Sequence, residues 1–455
     1  MPTSLRATPA GAFRHVTSLR HLSKVFEDRV AKGSVRGRDG LSVEAVRADL
    51  PAVVRYVSRR YRDGTYRFTP YRQRLFLKGA GTAPREISIP TVRDRIGLRA
   101  LADLLVTLFP DSSGKLPQTG VADAMEALRP GTYDTFVRID VRKFYPSIDH
   151  DILMEQLGSR IKKPQILRLI RRAIMTPTAP DRAARPKALL TTGVPQGLSI
   201  SNLLAEVYIQ PVDRAMSTYP GVSYHRFVDD ILILCSSGDA DAVDTRCREE
   251  LAAIKLDAHA RSAGGKSDVG NVADGINYLG YVMRPNHMSV RRSSIVQLES
   301  HLASIHASWR RDIAHGMDST LAGQRFGWHR NLAITGCVFE GVASGWIQYF
   351  RQLDDLPLLK RLDATVDRLA ARYGTPTSPA RKTFMRAYWA IRHPRSRSHT
   401  YIPNFDLYGP AEMASELRSM GTDTGGWPSS KIQDEFYRVV RKAVRDLERD
   451  IGNIS

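Results

Sequence analysis

Cysteine is scarce in this 455-residue chain, and Cys235, Cys247 and Cys337 lie far apart. That spacing supports neither a disulfide framework nor a zinc knuckle, so a reducing cytoplasm is the expected compartment. Long apolar runs are missing too. No stretch reaches the roughly 18 apolar residues of a membrane span. The opening "MPTSLRATPAGAFRHV" has no signal-peptide core and reads as part of a flexible basic N-terminus covering residues 1–30, a loose start followed by a short helix. Acid is short relative to base: 47 Asp and Glu face 67 Lys and Arg, leaving a net charge of +20. A field of that sign attracts polyanions, nucleic acid before an anionic membrane surface. The remaining composition, 42% hydrophobic and 25% charged, is that of a globular chain long enough for several cores.

What is present is an ordered series of short elements with no internal repeat. "LSVEAVRADLPAVVRYVSRRYRDG" and "TVRDRIGLRALADLLVTLF" have helical apolar spacing, with Ser42 and Thr91 as caps. "TYRFTPYRQRLFL" alternates as a strand. A Ser/Gly/Pro linker is expected over Pro110 to Gly120. "TFVRIDV" is a strand ending near Asp140, followed by helices at "DHDILMEQL", "PQILRLIRRAIM" and "SISNLLAEVYIQPVDRAM". "SYHRFVDDILIL" reads as a β-hairpin, "TRCREELAAIKLDAHARSA" as a helix and "GINYLGYVM" as a strand. Beyond Pro285 the pattern is mainly helical. The central order, β–α–β–β–α–β, is that of a ferredoxin-like sheet, so the fold class expected is α+β.

The acids in these strands carry chemistry. Asp229 and Asp230 sit between apolar runs in "FVDDILIL", where an unpaired buried carboxylate is costly. Asp140, at another strand end, can converge with Asp229. Because strand side chains alternate, Asp230 points differently from its neighbour. Hard carboxylate oxygens suit magnesium, and nucleotidyl transfer uses two such ions about 4 Å apart. Two solvated turn acids are the plainer alternative, and the apolar flanks speak against it.

Five motifs in order extend this reading. "FVRIDVRKFYPSIDH", "TTGVPQGLSISNLLAEVYI", "YHRFVDDILIL" (Phe227 standing where tyrosine is usual), "INYLGYVM" and, upstream, "KGSVRGRDGLS" resemble the reverse transcriptases, most closely the bacterial group II intron type and its domesticated relatives. The resemblance runs from about residue 30 to residue 373. It implies a right-hand polymerase: an N-terminal extension and fingers over 31–130, a palm over 131–285 that includes further fingers near 155–190, a helical thumb over 286–373 and a basic helical region over 374–455. It implies two Mg2+ ions, with Mn2+ as a substitute, held by Asp140, Asp229, Asp230 and the Val141 backbone carbonyl. Tyr145 would be the steric gate that rejects a 2′-hydroxyl, with Phe144 beside it, and a core aromatic is the plainer role for Phe144. Gln196 and Gly197 would support the incoming nucleotide. Lys78 and Arg85 would hold its triphosphate, with a solvated basic face as the rival reading. Lys266 would protonate the leaving pyrophosphate, although "HARSAGG" replaces the usual approach to it. Trp346, Tyr349 and Phe350 are expected to pack within the thumb.

No Cys/His cluster follows the thumb, no ribonuclease H carboxylate set is evident, and a retron-type "VTG" is missing. "GVPQGLSISNLLAEVY" resembles the defence-associated groups. The expectation is therefore a cytoplasmic RNA-directed DNA polymerase that copies a partner noncoding RNA in antiphage defence. Its partners would be a structured RNA template, dNTPs, the DNA product, and an accessory defence protein or a second copy, with no membrane. The alternatives are a template-independent terminal transferase and an intron-type maturase acting mainly as an RNA-binding splicing factor. The primer would be a 3′-hydroxyl or a protein hydroxyl.

Overall fold

The computed structural model describes residues 8–33, 35–76, 84–112, 114, 116–180, 188–376, 380–393 and 401–451. It divides into two compact units. Unit 1 comprises 1–116 and 133–270, and unit 2 comprises 117–132 and 271–455. The architecture is α+β, and among the described residues no helix is long and apolar enough to cross a membrane.

In unit 1 the strands are β1 (Tyr71–Phe76), β2 (Arg85–Ile89), β3 (Thr135–Asp140), β4 (Thr178–Ala179), β5 (Ser223–Phe227), β6 (Asp230–Cys235) and β7 (Asp268–Asn271). One sheet has the order β5-β6-β3-β7, with helices between β3 and β5 and one helix, Ala240–Ala253, between β6 and β7. That is the split β-α-β order expected from the sequence. A smaller sheet, β2-β1-β4, pairs β1 with β2 antiparallel and with β4 in parallel. In β6, Ile231 to Cys235 are all fully buried. A central strand covered on both faces reads as a continuous apolar run, and this displaces its acid to the strand end.

Unit 2 holds β8 (Ile276–Tyr278), β9 (Tyr281–Arg284) and β10 (His287–Val290) in one sheet, a hairpin of β11 (Cys337–Phe339) and β12 (Val342–Ser344), and long helices including Arg292–Ala314, Ser319–Thr335, Leu356–Tyr373 and Ser429–Ile451. Trp346 and Phe350 are fully buried and Tyr349 nearly so, so all three are packing residues.

The structure corrects four local readings. From Pro9 onward the N-terminal segment holds more helix than the single short one expected: helices Pro9–Val16 and Leu19–Val25 bury Phe13, Val16, Leu22 and Val25 against the helix Val92–Leu108. An apolar stripe that short is easily overlooked among basic residues. The Pro110–Gly120 linker is interrupted, because Pro117 opens a helix to Leu128. Proline is well suited to a first helical position, where its missing N–H is no loss. The helix expected over "TRCREELAAIKLDAHARSA" ends at Ala253. Lys255 then takes a left-handed φ of 56°, and Ala258 bridges to Val141. Finally, the region beyond Pro285 carries strands β10 to β12 as well as helices.

Candidate active site

The site begins with strand pairing. Asp140 closes β3 and lies directly opposite Asp230, the first residue of β6. Such pairs have Cβ atoms about 4.5–5.5 Å apart, and like charges there repel. Asp229 occupies the turn, and its backbone carbonyl accepts from Val141 N at 3.0 Å. The two strands thus bring all three acids to one end of the sheet.

The turn is a tight two-residue loop, Val228–Asp229, closed by the pair Phe227 and Asp230. Val228 has φ 57°. That conformation suits primed hairpin turns but is normally supplied by glycine or asparagine, and a β-branched residue there stores strain. Arg226 holds the turn in place. Its Nη1 donates to Val228 O at 2.9 Å, its Nε and Nη2 reach Asp213 at 2.7 Å each, and Nη2 also reaches Glu206 at 2.7 Å. The guanidinium is only 8% exposed, and the two acids beside it outweigh burial, raising its pKa well above the ordinary value.

Around Asp140 the loop after the helix Ala240–Ala253 folds back. His259 N donates to Asp140 O at 2.9 Å, and Asp140 N donates to Ser267 Oγ at 3.1 Å. His259 Nε2 lies 3.3 Å and Lys266 Nζ 3.4 Å from Asp140 Oδ1. Arg138, two residues back on the same face of β3, donates to Gly265 O and Lys266 O at 2.7 and 3.0 Å. These bonds bring Lys266 to the acid despite the unusual sequence preceding it.

Tyr145 is half-buried, and its hydroxyl donates to Asn202 Oδ1 at 2.9 Å. Burial, then the charges of Glu206 and Asp229, push its pKa up to about 12, while Arg85 and Arg226 pull it the other way. Tyr145, Asp229 and Arg85 are thus electrostatic neighbours. Gln196 O accepts from Ser88 N at 2.7 Å, tying its loop to β2. Gly197 has φ 101°, and a Cβ there would lie 2.8 Å from Ile87 Cγ2 and 2.9 Å from Ser88 O, so only glycine fits. Behind this loop a cavity of about 340 Å³ is lined by Arg29, Arg74, Arg95 and Arg99. Burial and neighbouring arginines lower the pKa values of Arg95 and Arg99.

One sequence assignment changes, and another falls outside the described residues. Phe144 is 2% exposed and packs in the core, so its ring is not available to a nucleotide. Lys78 lies outside the described residues. Sequence reasoning missed His259, Ser267, Asn202 and the Arg226–Glu206–Asp213 network. The spacing of Glu206 and Asp213, two turns apart on one helix, was the only hint of the last.

For a divalent ion the donor chemistry fits, because Asp140 and Asp230 offer hard oxygens from opposite strands where their like charges call for a cation. The arrangement is not a closed cage: among the described residues no three His, Cys, Asp or Glu side chains converge as metal ligands. Lys266 Nζ supplies a positive charge beside Asp140, and His259 Nε2 lies against the same oxygen.

Residues 77–283 match the family described as Reverse transcriptase (RNA-dependent DNA polymerase). This stretch is a reverse-transcriptase-like domain. The group II intron-encoded protein LtrA of Lactococcus lactis subsp. cremoris is 25% identical over 183 residues, 39% of this chain and 29% of that protein. A 91 kDa protein in the cob intron of Schizosaccharomyces pombe is 24% identical over 183 residues, 39% of this chain and 21% of its own. Among solved structures, telomerase from Candida albicans in complex with a telomeric RNA fragment aligns over 88% of this chain and 67% of its own, with 11% identity and a TM-score of 0.43. The reverse-transcriptase-like domain is thus related to intron-encoded proteins, and the chain spans less than a third of the length of those relatives.

Proposed function

We propose that this protein is an RNA-directed DNA polymerase of the intron-encoded type. The observation that carries the reading is the strand register that sets Asp140 opposite Asp230, with Asp229 in the adjoining turn. In this reading residues 31–130 supply extension and fingers, 131–285 the palm, 286–373 the thumb and 374–455 a basic tail.

Asp140, Asp229 and Asp230, with the Val141 carbonyl, would hold two Mg2+ ions, which supply activation of the 3′-hydroxyl and charge neutralisation at the triphosphate. The chain's own groups do the rest. Arg85 draws in the triphosphate by charge. Tyr145, anchored on Asn202, forms the floor beneath the sugar and leaves no room for a 2′-hydroxyl. The Gln196–Gly197 loop, pinned to β2, holds the incoming base. Lys266, near Asp140, carries the proton that the departing pyrophosphate takes up.

The sequence pointed toward antiphage defence, and the intron-encoded relatives favour the intron-type alternative instead. That reading includes a maturase role, binding a structured intron RNA, and the net charge of +20 suits it. The test is extension of a labelled DNA primer on an RNA template with dNTPs and Mg2+. Wild type extends the primer, and Asp229→Ala/Asp230→Ala does not while retaining RNA binding. A wild-type protein that incorporates no dNTP on any primer–template refutes the polymerase reading. Loss of RNA binding in the double variant refutes the separable maturase role.

A further inference from the structure

Unit 2 contains a cavity of about 330 Å³ between the helix Ser319–Thr335, the turn Phe405–Tyr408 and the helix Pro410–Ser419. That volume falls in the range of small-ligand sites. Its lining is unlike a core defect. Half-buried Trp328 and Tyr408 form aromatic walls around Phe405, which is 1% exposed. The Phe405 ring lies 6.4 Å from Trp328 at an interplanar angle of 27° and 5.2 Å from Tyr408, and Phe436 backs it at 5.5 Å. The aromatic surface is therefore buttressed from behind.

Two opposite charges share this cavity. Lys382 and Glu416 both line it, and both are partly buried. Burial lowers the Lys382 pKa and raises that of Glu416, each charge partly offsetting the other's shift. Lys382 is fixed at both ends: Nζ donates to Tyr401 O at 2.6 Å, and its backbone N donates to Asn331 Oδ1 at 3.0 Å. An ammonium has three donors, so Nζ keeps further donor capacity toward a ligand. Asn331, which also lines the cavity, gives one of its two amide donors to Ala380 O, and its Oδ1 accepts from Lys382 N. The charged pair supplies the ionic part of the lining, with the remaining Asn331 N–H and the exposed Gln324 amide beside it.

We propose that this cavity binds a guanine base, stacked on its aromatic wall, donating N1–H and the N2 amino group to the Glu416 carboxylate and accepting at O6 from Lys382 Nζ. A flat heterocycle gains most from aromatic walls, and single-stranded bases are recognised by stacking combined with edge hydrogen bonds. Among the common bases, guanine presents two adjacent donors beside an acceptor. A carboxylate has two acceptor oxygens for the first part and an ammonium suits the second. Adenine and cytosine put a ring acceptor where the carboxylate would repel it, and uracil offers one donor between two acceptors. The site lies wholly within unit 2 and does not depend on the polymerase reading.

A free guanosine nucleotide and an unstacked guanine in single-stranded RNA share this chemistry. The test is isothermal titration of the full chain with GMP, AMP and the oligomer UUGUU, in wild type, Glu416→Gln and Lys382→Met, each variant first checked for an unchanged melting profile. GMP is expected to bind at least tenfold more tightly than AMP, and Glu416→Gln to weaken GMP at least tenfold. If UUGUU binds much more tightly than GMP, and Glu416→Gln removes the difference, RNA is the source of the base. Equal affinities point to the free nucleotide. If Glu416→Gln fails to fold, Lys382→Met reads the O6 contact by the same tenfold criterion. Equal binding of GMP and AMP, no binding of GMP and UUGUU, or unchanged GMP affinity in the folded variants overturns the proposal.

Discussion

Replacing Arg226 by alanine tests how the paired acids are held. In the folded chain the guanidinium is 8% exposed and makes five hydrogen bonds: two to Asp213, two to Glu206 and one to Val228 O. Hydrogen bonds to charged groups contribute roughly 1.5–3 kcal/mol each, and such values do not add within a network. The governing quantity is the charge left behind. Asp213 and Glu206 are 26% and 18% exposed, so without Arg226 they lose their counter-charge in a largely dry setting. Breaking a buried ion pair from one side costs about 3–5 kcal/mol, a large part of the roughly 5–15 kcal/mol that stabilises a folded domain. Arg226→Ala is therefore expected to shift urea unfolding by that amount. Arg226→Met with Glu206→Gln and Asp213→Asn, which removes both the charge and its partners, should recover much of the loss. Primer extension should fall at least tenfold in Arg226→Ala even at temperatures where it stays folded, because the Val228 carbonyl loses its anchor. A loss below about 1 kcal/mol, or full activity in the folded variant, would refute the claim that this network sets the turn.

Further outcomes follow from single contacts. Gly197→Ala should lower stability by about 1–3 kcal/mol and slow nucleotide addition, because its Cβ meets Ile87 and Ser88 O at a positive φ; thermal melting and single-nucleotide kinetics check this. Tyr145→Ala should admit ribonucleotides while Tyr145→Phe keeps the preference for dNTPs, read from competition between dCTP and CTP. With the Tyr145 pKa raised from its ordinary 10.0 to about 12, its stabilising contribution is present below pH 10 and lost as the pH rises from about 10 to about 12; Tyr145→Phe should flatten that part of a stability-versus-pH curve. His306 and His329 are both lowered from 6.5 to about 4, chiefly by burial. Their contribution is complete above pH 6.5 and lost as the pH falls toward about 4, so His306→Phe should reduce the acid-induced drop in melting temperature over that window.

The readable parts of the site were those written in neighbouring residues. A two-residue turn between apolar runs fixes the Asp229–Asp230 hairpin, and the alternation in "TFVRID" leads straight to Asp140. Adjacency of those strands was legible, but their register was not: Asp140 was expected to converge with Asp229, and the pairing sets it opposite Asp230 with Asp229 left in the turn. Residues brought together by chain reversal were harder to see. His259 reaches Asp140 because the chain turns at Lys255, a left-handed position with no glycine to announce it. Arg226 looked like one more base in a basic chain until burial placed two acids beside it. At the N-terminus one short helix was expected and two are present, because their apolar face is covered by Val92–Leu108, and short segments of this kind are stabilised by such packing rather than by helix propensity.

The bonds around Asp140 divide the site into fixed and adjustable parts. The Asp140 backbone is held through its N–H by Ser267 and through its carbonyl by His259, and its strand register faces Asp230. Lys266, by contrast, keeps a side chain 65% exposed on a loop held mainly through backbone carbonyls. The strand sets where charge must accumulate, and the loop sets how that charge is answered. Changes confined to residues 255–267 can therefore retune the electrostatics of the site without disturbing the sheet, whereas any shift in β3 would move both partners at once.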